Sequence, residues 1–179
     1  MARFALSAIG RDRPGIVAGV SGALLEHHAN IEDSRMAILG GHFTMMLIVS
    51  VPGDADLDAL RATLLATQAD LELGALTLEE VSAEQGSRPE ASHLVTVYGA
   101  DHPGIVHSVA SALAGLGVNV VDVATHLVAE EGQQDIYALM MEVELPTGLD
   151  ADALEERLHE TAERERLDLS VRALEAEAL

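Results

Sequence analysis

The sequence predicts an α+β protein of two ferredoxin-like βαββαβ domains, and three observations predict it. The octet GRDRPGIV at Gly10–Val17 returns as GADHPGIV at Gly99–Val106, 89 residues later. Around it, the window Gly10–Asp33 matches Gly99–Asp122 at 11 of 24 positions, the mark of an internal duplication. Within each copy the hydrophobic pattern changes in the same order, from strand-like to helical, back to two strands, to helical and to a strand again.

Phe4–Ile9 and Leu94–Tyr98 are short runs enriched in β-forming residues and read as first strands. Pro14 and Pro103 suit the first turn of a helix, where the missing N–H has no partner to lose and the fixed φ is already helical. From there Ile16, Val17, Val20 and Leu24 recur at helical spacing, as do Ile105, Val106, Val109, Leu113 and Leu116, so one side of each helix is buried. A turn at Asn30 or Asn119 leads to paired strands, Ile31–Leu39 with His42–Val51 and Val120–Val128 with Asp135–Leu145. Gly40-Gly41 signals a tight hairpin in the first pair, and Ala129–Gln134 a longer loop in the second. Asp54 and Asp150 offer N-caps to second helices, in which Leu57, Leu60 and Leu64, or Leu154 and Leu158, face inward. Last strands fall near Leu73–Val81 and Leu167–Leu174.

That order is the split βαβ arrangement, with four antiparallel strands in a sheet and both helices on one face. The domains are expected at 1–82 and 93–179, joined by a polar linker at 83–92 that contains Gly and Pro. Each sheet leaves open edges and an uncovered face, so the two copies are expected to pack on one another.

Composition narrows the function. In 179 residues, 49% hydrophobic, there is apolar material for packed cores, and no run approaches the roughly 18 apolar residues of a spanning helix. Met1-Ala2-Arg3 leads straight into a strand-like segment without a signal peptide, and the chain is expected to be cytoplasmic, with no membrane partner. There is no cysteine, which excludes disulfides, thiolate metal sites and cysteine nucleophiles. The formal charge is −20, all ten basic residues are arginine, and no basic patch is visible, so direct nucleic-acid binding is not expected.

The repeated turn is the candidate site. Free amides at a helix N-terminus carry partial positive charge and suit a carboxylate, and the glycine after each proline lets a ligand approach the backbone. Asp12 or Asp101, in the same turn, would meet an ammonium group, or would merely hold the turn. Asn30 and Asn119 lie at the far end of the helix and reach a turn only if the copies pair, or are simply left-handed helix-ending residues. The residues alone stop at a small-anion site.

G-x-D-x-P-G-I-V after a first strand, then a helix and N-I or N-V opening a second strand, resembles the ACT domain, an amino-acid-sensing module of metabolic regulation. With GRDRPGIV, NIEDSRM and GGHF, the first copy is similar to the branch of that family that regulates transcription of the glycine cleavage system. The resemblance covers nearly the whole chain. It implies an eight-stranded side-by-side sheet, ligand sites at interfaces between ACT units, and a small amino acid as ligand, with glycine or serine the leading guesses. Carried over, the amino-acid-binding residues are Asp12, Arg13, Pro14, Gly15, Ile16 and Asn30, and Asp101, His102, Pro103, Gly104, Ile105 and Asn119. The second copy departs from the first in carrying His102 for Arg13 and a longer hairpin.

An enzyme is not expected. The family pattern also opens some folate and amino-acid enzymes, which carry a separate catalytic domain, and a detached regulatory unit of such an enzyme is one alternative. No nucleophile elbow or nucleotide loop is present, and His102 and His107 with Asp101 match no metal-ligand spacing, so no cofactor or metal is expected. The other alternative is a protein interaction module without ligand, using the acidic stretch Asp150–Arg166 as a docking face. A protein partner, and a possible homo-oligomer, fit both the sensing and the docking readings.

Overall fold

Period-two burial builds the sheets. Phe4, Leu6 and Ala8 of β1 (Ala2–Arg11) are buried while Ser7 and Ile9 are exposed, and Phe43, Met45 and Leu47 of β3 (His42–Val51) alternate with exposed His42, Thr44 and Met46. The structure is a computed structural model, and it describes residues 1–81, 90–128 and 136–174. The loop expected at 129–134 and most of the linker expected at 83–92 lie outside the described residues.

The chain divides into two units, Met1–Gly86 and Ser87–Leu179. In the first, β1 is followed by α1 (Ile16–Glu26), β2 (Asn30–Leu39), β3, α2 (Leu57–Asp70) and β4 (Ala75–Val81). The second repeats the order as β5 (His93–Ala100), α3 (Ile105–Gly115), β6 (Asn119–Val128), β7 (Ile136–Glu144), α4 (Ala151–Glu165) and β8 (Asp168–Ala173). Each unit holds one four-stranded antiparallel sheet, ordered β2-β3-β1-β4 and β6-β7-β5-β8. Both sheets carry a register shift at the same place, between Ile31 and Asp33 and between Val120 and Asp122, so the duplication extends to the β-bulge.

The helices cover one face of each sheet. Ile16, Val20, Ala23 and Leu24 of α1 and Leu60 and Leu64 of α2 join the strand residues in one core, and Ile105, Val109, Leu113, Leu154 and Leu158 do so in the other. Leu60 and Leu154 are fully buried, and truncating either to alanine removes about 2–5 kcal/mol.

Three local expectations shift. The N-cap of α2 is Asp56 rather than Asp54: its Oδ1 accepts from the Ala59 amide at 3.0 Å, while Asp150 caps α4 as expected, accepting from Ala153 at 2.8 Å. Leu73 and Leu167 belong to the turns before β4 and β8, where they are buried, and not to the strands. The left-handed residues that end α1 and α3 are His28, φ 55°, and Gly117, φ 71°, while Asn30 and Asn119 already sit in strands opposite Ser50 and Glu144. At each end a paired Schellman hydrogen bond, Ala29 N–H to Leu24 O and Val118 N–H to Leu113 O, closes the helix two residues before the asparagine.

Candidate functional site

The two glycines of the repeated octet do different work. A side chain on Gly10 would stand 3.1 Å from Leu73 Cα, and one on Gly99 would stand 2.5 Å from a Leu167 methyl, so this end of the strand lies directly on the turn after the second helix. Gly15 and Gly104 have φ of 98° and 108° and are the N-caps of α1 and α3. A glycine with that φ cannot stand inside a helix, so Pro14 and Pro103 precede the cap instead of opening the first turn as the sequence suggests.

The amides on offer shift by one residue accordingly. Gly19 N–H donates to Gly15 O at 2.8 Å and Ser108 N–H to Gly104 O at 2.9 Å, the first helical bonds. Ile16, Val17 and Ala18, and Ile105, Val106 and His107, therefore carry the orphan N–H groups, and no side chain caps either helix. Asp12 and Asp101 are exposed and do not cap, and among the described residues their carboxylates take no hydrogen bond or ion pair. Two helix N-termini with partial positive charge thus stand open, each with a carboxylate in the same turn.

Arg13 and His102 each reach the end of the second helix of their unit. The Arg13 guanidinium donates to Asp70 O at 3.2 Å and lies 3.5 Å from the Glu72 carboxylate, both at the end of α2. His102 Nε2 is 3.3 Å from Glu165 O at the end of α4, and its Nδ1 is 3.3 Å from Pro103 O. Both acceptors are carbonyls, and a neutral imidazole, with one N–H, donates to only one of them at a time. Glu165 is itself held: Ser108 Oγ donates to its Oε1 at 2.8 Å. That hydrogen bond, helped by Arg164 and by the charge of His102 and opposed by desolvation, holds the Glu165 carboxyl below the usual carboxylate range.

In the second unit the turn residues Asp101, His102, Pro103, Gly104 and Ile105 line one open cleft of about 590 Å³ with Val106, His107 and Tyr137. Asn30 does not join the first turn: it lines a separate groove of about 510 Å³ at the C-terminal end of α1, with Leu25 and Ala29. Sequence reasoning missed a third feature, an apolar cavity of about 190 Å³ under Val17 and Ser21 of α1, walled by Ile31 and Met36 of β2 and Met45 and Leu47 of β3. Its signal was the edge strand β2, which keeps Ile31, Met36, Ile38 and Leu39 although all ten of its residues are exposed. Among the described residues no three His, Asp or Glu side chains gather as metal ligands, and no helix is long and apolar enough to cross a membrane.

Comparison with known proteins follows the two units. The sequence model of the ACT domain matches residues 3–77 and, a second time, 92–172. A UPF0237 protein of Methanopyrus kandleri is 45% identical over 65 residues, which span 36% of this chain and 72% of that protein. The glycine cleavage system transcriptional repressor of Escherichia coli (strain K12) is 28% identical over 129 residues, 72% of this chain and 67% of the repressor. A crystal structure of an unknown protein from Galdieria sulphuraria shares the fold at a TM-score of 0.80, with 28% identity over 97% of this chain and 98% of that one.

Proposed function

Because this chain belongs to the ACT domain family, which each of its halves matches, we propose that it is an amino-acid sensor that binds a small amino acid at its repeated turn and signals to a partner protein. The observation that carries this reading is the pair of uncapped helix N-termini, each with an exposed, unpaired aspartate in the same turn. The amides of Ile16, Val17 and Ala18, or of Ile105, Val106 and His107, would take the ligand carboxylate, and Asp12 or Asp101 its ammonium group.

The absence of a side chain on Gly15 and Gly104 leaves the approach open: among the described residues, apart from the chain neighbours, no atom stands within 4 Å of where a Cβ would be. Glycine or serine, whose recognition rests on the carboxylate and ammonium groups alone, is the ligand that a site of backbone amides and one aspartate suits. Arg13 braces the first turn against the end of α2, His102 both meets the end of α4 and lines the cleft of the second turn, and the reading gives Asn30 and Asn119 no role inside their own unit.

The signalling half rests on two supports. The relationship to the glycine cleavage system transcriptional repressor points to transcriptional regulation of glycine cleavage as the output. The edge strand β2, open along its length, offers a partner unpaired backbone groups flanked by apolar side chains.

A thermal-shift screen of the full chain across the proteinogenic amino acids tests the proposal. A bound ligand at 100 times its Kd adds roughly 2.7 kcal/mol of stability. The double variant Asp12→Ala with Asp101→Ala should abolish the shift, and survival of binding in that variant would remove the turn from the account.

A further inference from the structure

Between α3 and α4 lies a cleft of about 340 Å³, at the small end of the roughly 300–1,000 Å³ range of ligand pockets. His107 and Ser111 line it from α3, and Arg157, Glu160, Thr161 and Arg164 from α4. The spacings, i and i+4 on one helix and i, i+3, i+4 and i+7 on the other, set these side chains along the two facing stripes.

The duplication supplies an internal control. Aligned through the buried pairs Leu60 with Leu154 and Leu64 with Leu158, the first unit carries Ala18, Gly22, Thr63, Ala66, Thr67 and Asp70 at these six positions. It packs the same two helices without an arginine, a histidine or a serine among them. Packing therefore does not require the polar set of the second unit.

The side chains are also underused. Thr161 has 6% of its surface exposed, and its hydroxyl, which is not shut off from solvent, makes no hydrogen bond among the described residues, whereas Thr67, its counterpart, donates to Thr63 O at 2.9 Å. The Ser111 hydroxyl and the His107 ring are exposed, and among the described residues they make no hydrogen bond either. Arg157 meets Glu160 at 3.5 Å and Arg164 meets Glu165 at 3.6 Å, long contacts between mostly exposed groups that contribute little and leave most of each guanidinium fork unused.

We propose that this cleft binds a phosphate group, beside the turn that takes the amino acid and sharing His107 with it. Two guanidinium forks, two unused hydroxyls and an imidazole exceed what the two oxygens of a carboxylate accept, and match the three terminal oxygens of a phosphate. Glu160 is the competing anion for Arg157, and a bound phosphate displaces it from a pair that holds it weakly.

The test is a nitrogen-15 NMR titration of the full chain with inorganic phosphate against chloride at constant ionic strength. Saturable shifts at Ser111, Thr161 and the side chains of Arg157, Arg164 and His107 are expected, with none at Gly22 or Thr67. Arg157→Gln with Arg164→Gln should raise the Kd at least about tenfold while leaving the amide spectrum folded. Thr161→Val, which keeps the buried volume and removes the hydroxyl, should weaken binding several-fold. A parallel titration with glycerol 3-phosphate separates the sources: tighter binding means a phosphate carried on a small metabolite, equal binding means the free ion. Shifts that do not saturate, that chloride reproduces, or that persist unchanged in the double arginine variant would overturn the proposal.

Discussion

The Arg13 guanidinium donates to the Asp70 backbone carbonyl at 3.2 Å, so the residue before the turn's proline holds down the last turn of α2. A cation at a helix C-terminus meets the negative end of the dipole, and His102 occupies the same place against Glu165 in the second unit. The two basic residues that distinguish the copies therefore both reach the C-terminal end of the second helix of their unit.

Arg13→Ala is expected to lower the stability of the first unit by about 0.5–1.5 kcal/mol, the range for one hydrogen bond with its dipole term. Chemical denaturation reads this loss. Amino-acid affinity measured on the still-folded variant should change less than threefold, since the guanidinium faces α2 and not the open amides.

Ser108→Ala should raise the Glu165 carboxyl toward its ordinary value, because the Ser108 hydroxyl is the largest influence holding it down. The sign follows from linkage: a carboxyl lowered in the folded state stabilises above its unfolded pKa and loses that contribution as pH falls through the lowered value. The wild-type chain therefore has an acid-side loss of stability that Ser108→Ala reduces. Carbon-detected NMR titration of Glu165 checks the direction.

Gly15→Ala and Gly104→Ala should each cost about 1–2 kcal/mol, the penalty of a left-handed φ on an L residue, although nothing crowds the added methyl. Gly22→Ala, inside α1 and equally uncrowded, should instead stabilise by about 0.5–1 kcal/mol. The opposite signs of two changes on the same helix separate backbone conformation from packing in one set of melts.

His28→Gly should stabilise the first unit by about 1 kcal/mol, since φ there is 55° and the second unit already places Gly117 at the equivalent position. The His28 side chain is exposed and makes no hydrogen bond among the described residues, so little opposes the gain.

The strands and helices were legible because the chain writes them twice, and agreement between copies removes the ambiguity of any one short run. Phe4, Leu6 and Ala8, then Ile16, Val20 and Leu24, declare their periods without help. The junctions were less legible. Proline suits both a helix's first position and the position before its cap, and only the φ of Gly15, set by how β1 meets α1, distinguishes them. Asn30 looks like a helix-ending residue by type, but the Schellman bonds closed the helix at His28, whose type gives no such signal. The cavity at Val17 and the α3–α4 cleft are made by residues from different elements, so the apolar residues of β2 hint at the first only once the strand is known to lie at an edge, and no local pattern marks the second. Arg13 enters the candidate site through the family resemblance, and its hydrogen bond to Asp70 O was not legible, because sequence gives no direction to a side chain and Asp70 lies 57 residues away along the chain.

The central claim is that the orphan amides of the repeated turn hold an amino acid. Amide chemical-shift mapping of the full chain during titration with glycine, serine and the other proteinogenic amino acids tests it most directly. Saturable shifts are expected to concentrate on Ile16, Val17 and Ala18, or on Ile105, Val106 and His107, and to vanish in Asp12→Ala with Asp101→Ala. Binding that leaves all six amides unmoved, or no binding by any amino acid at millimolar concentration, would contradict it.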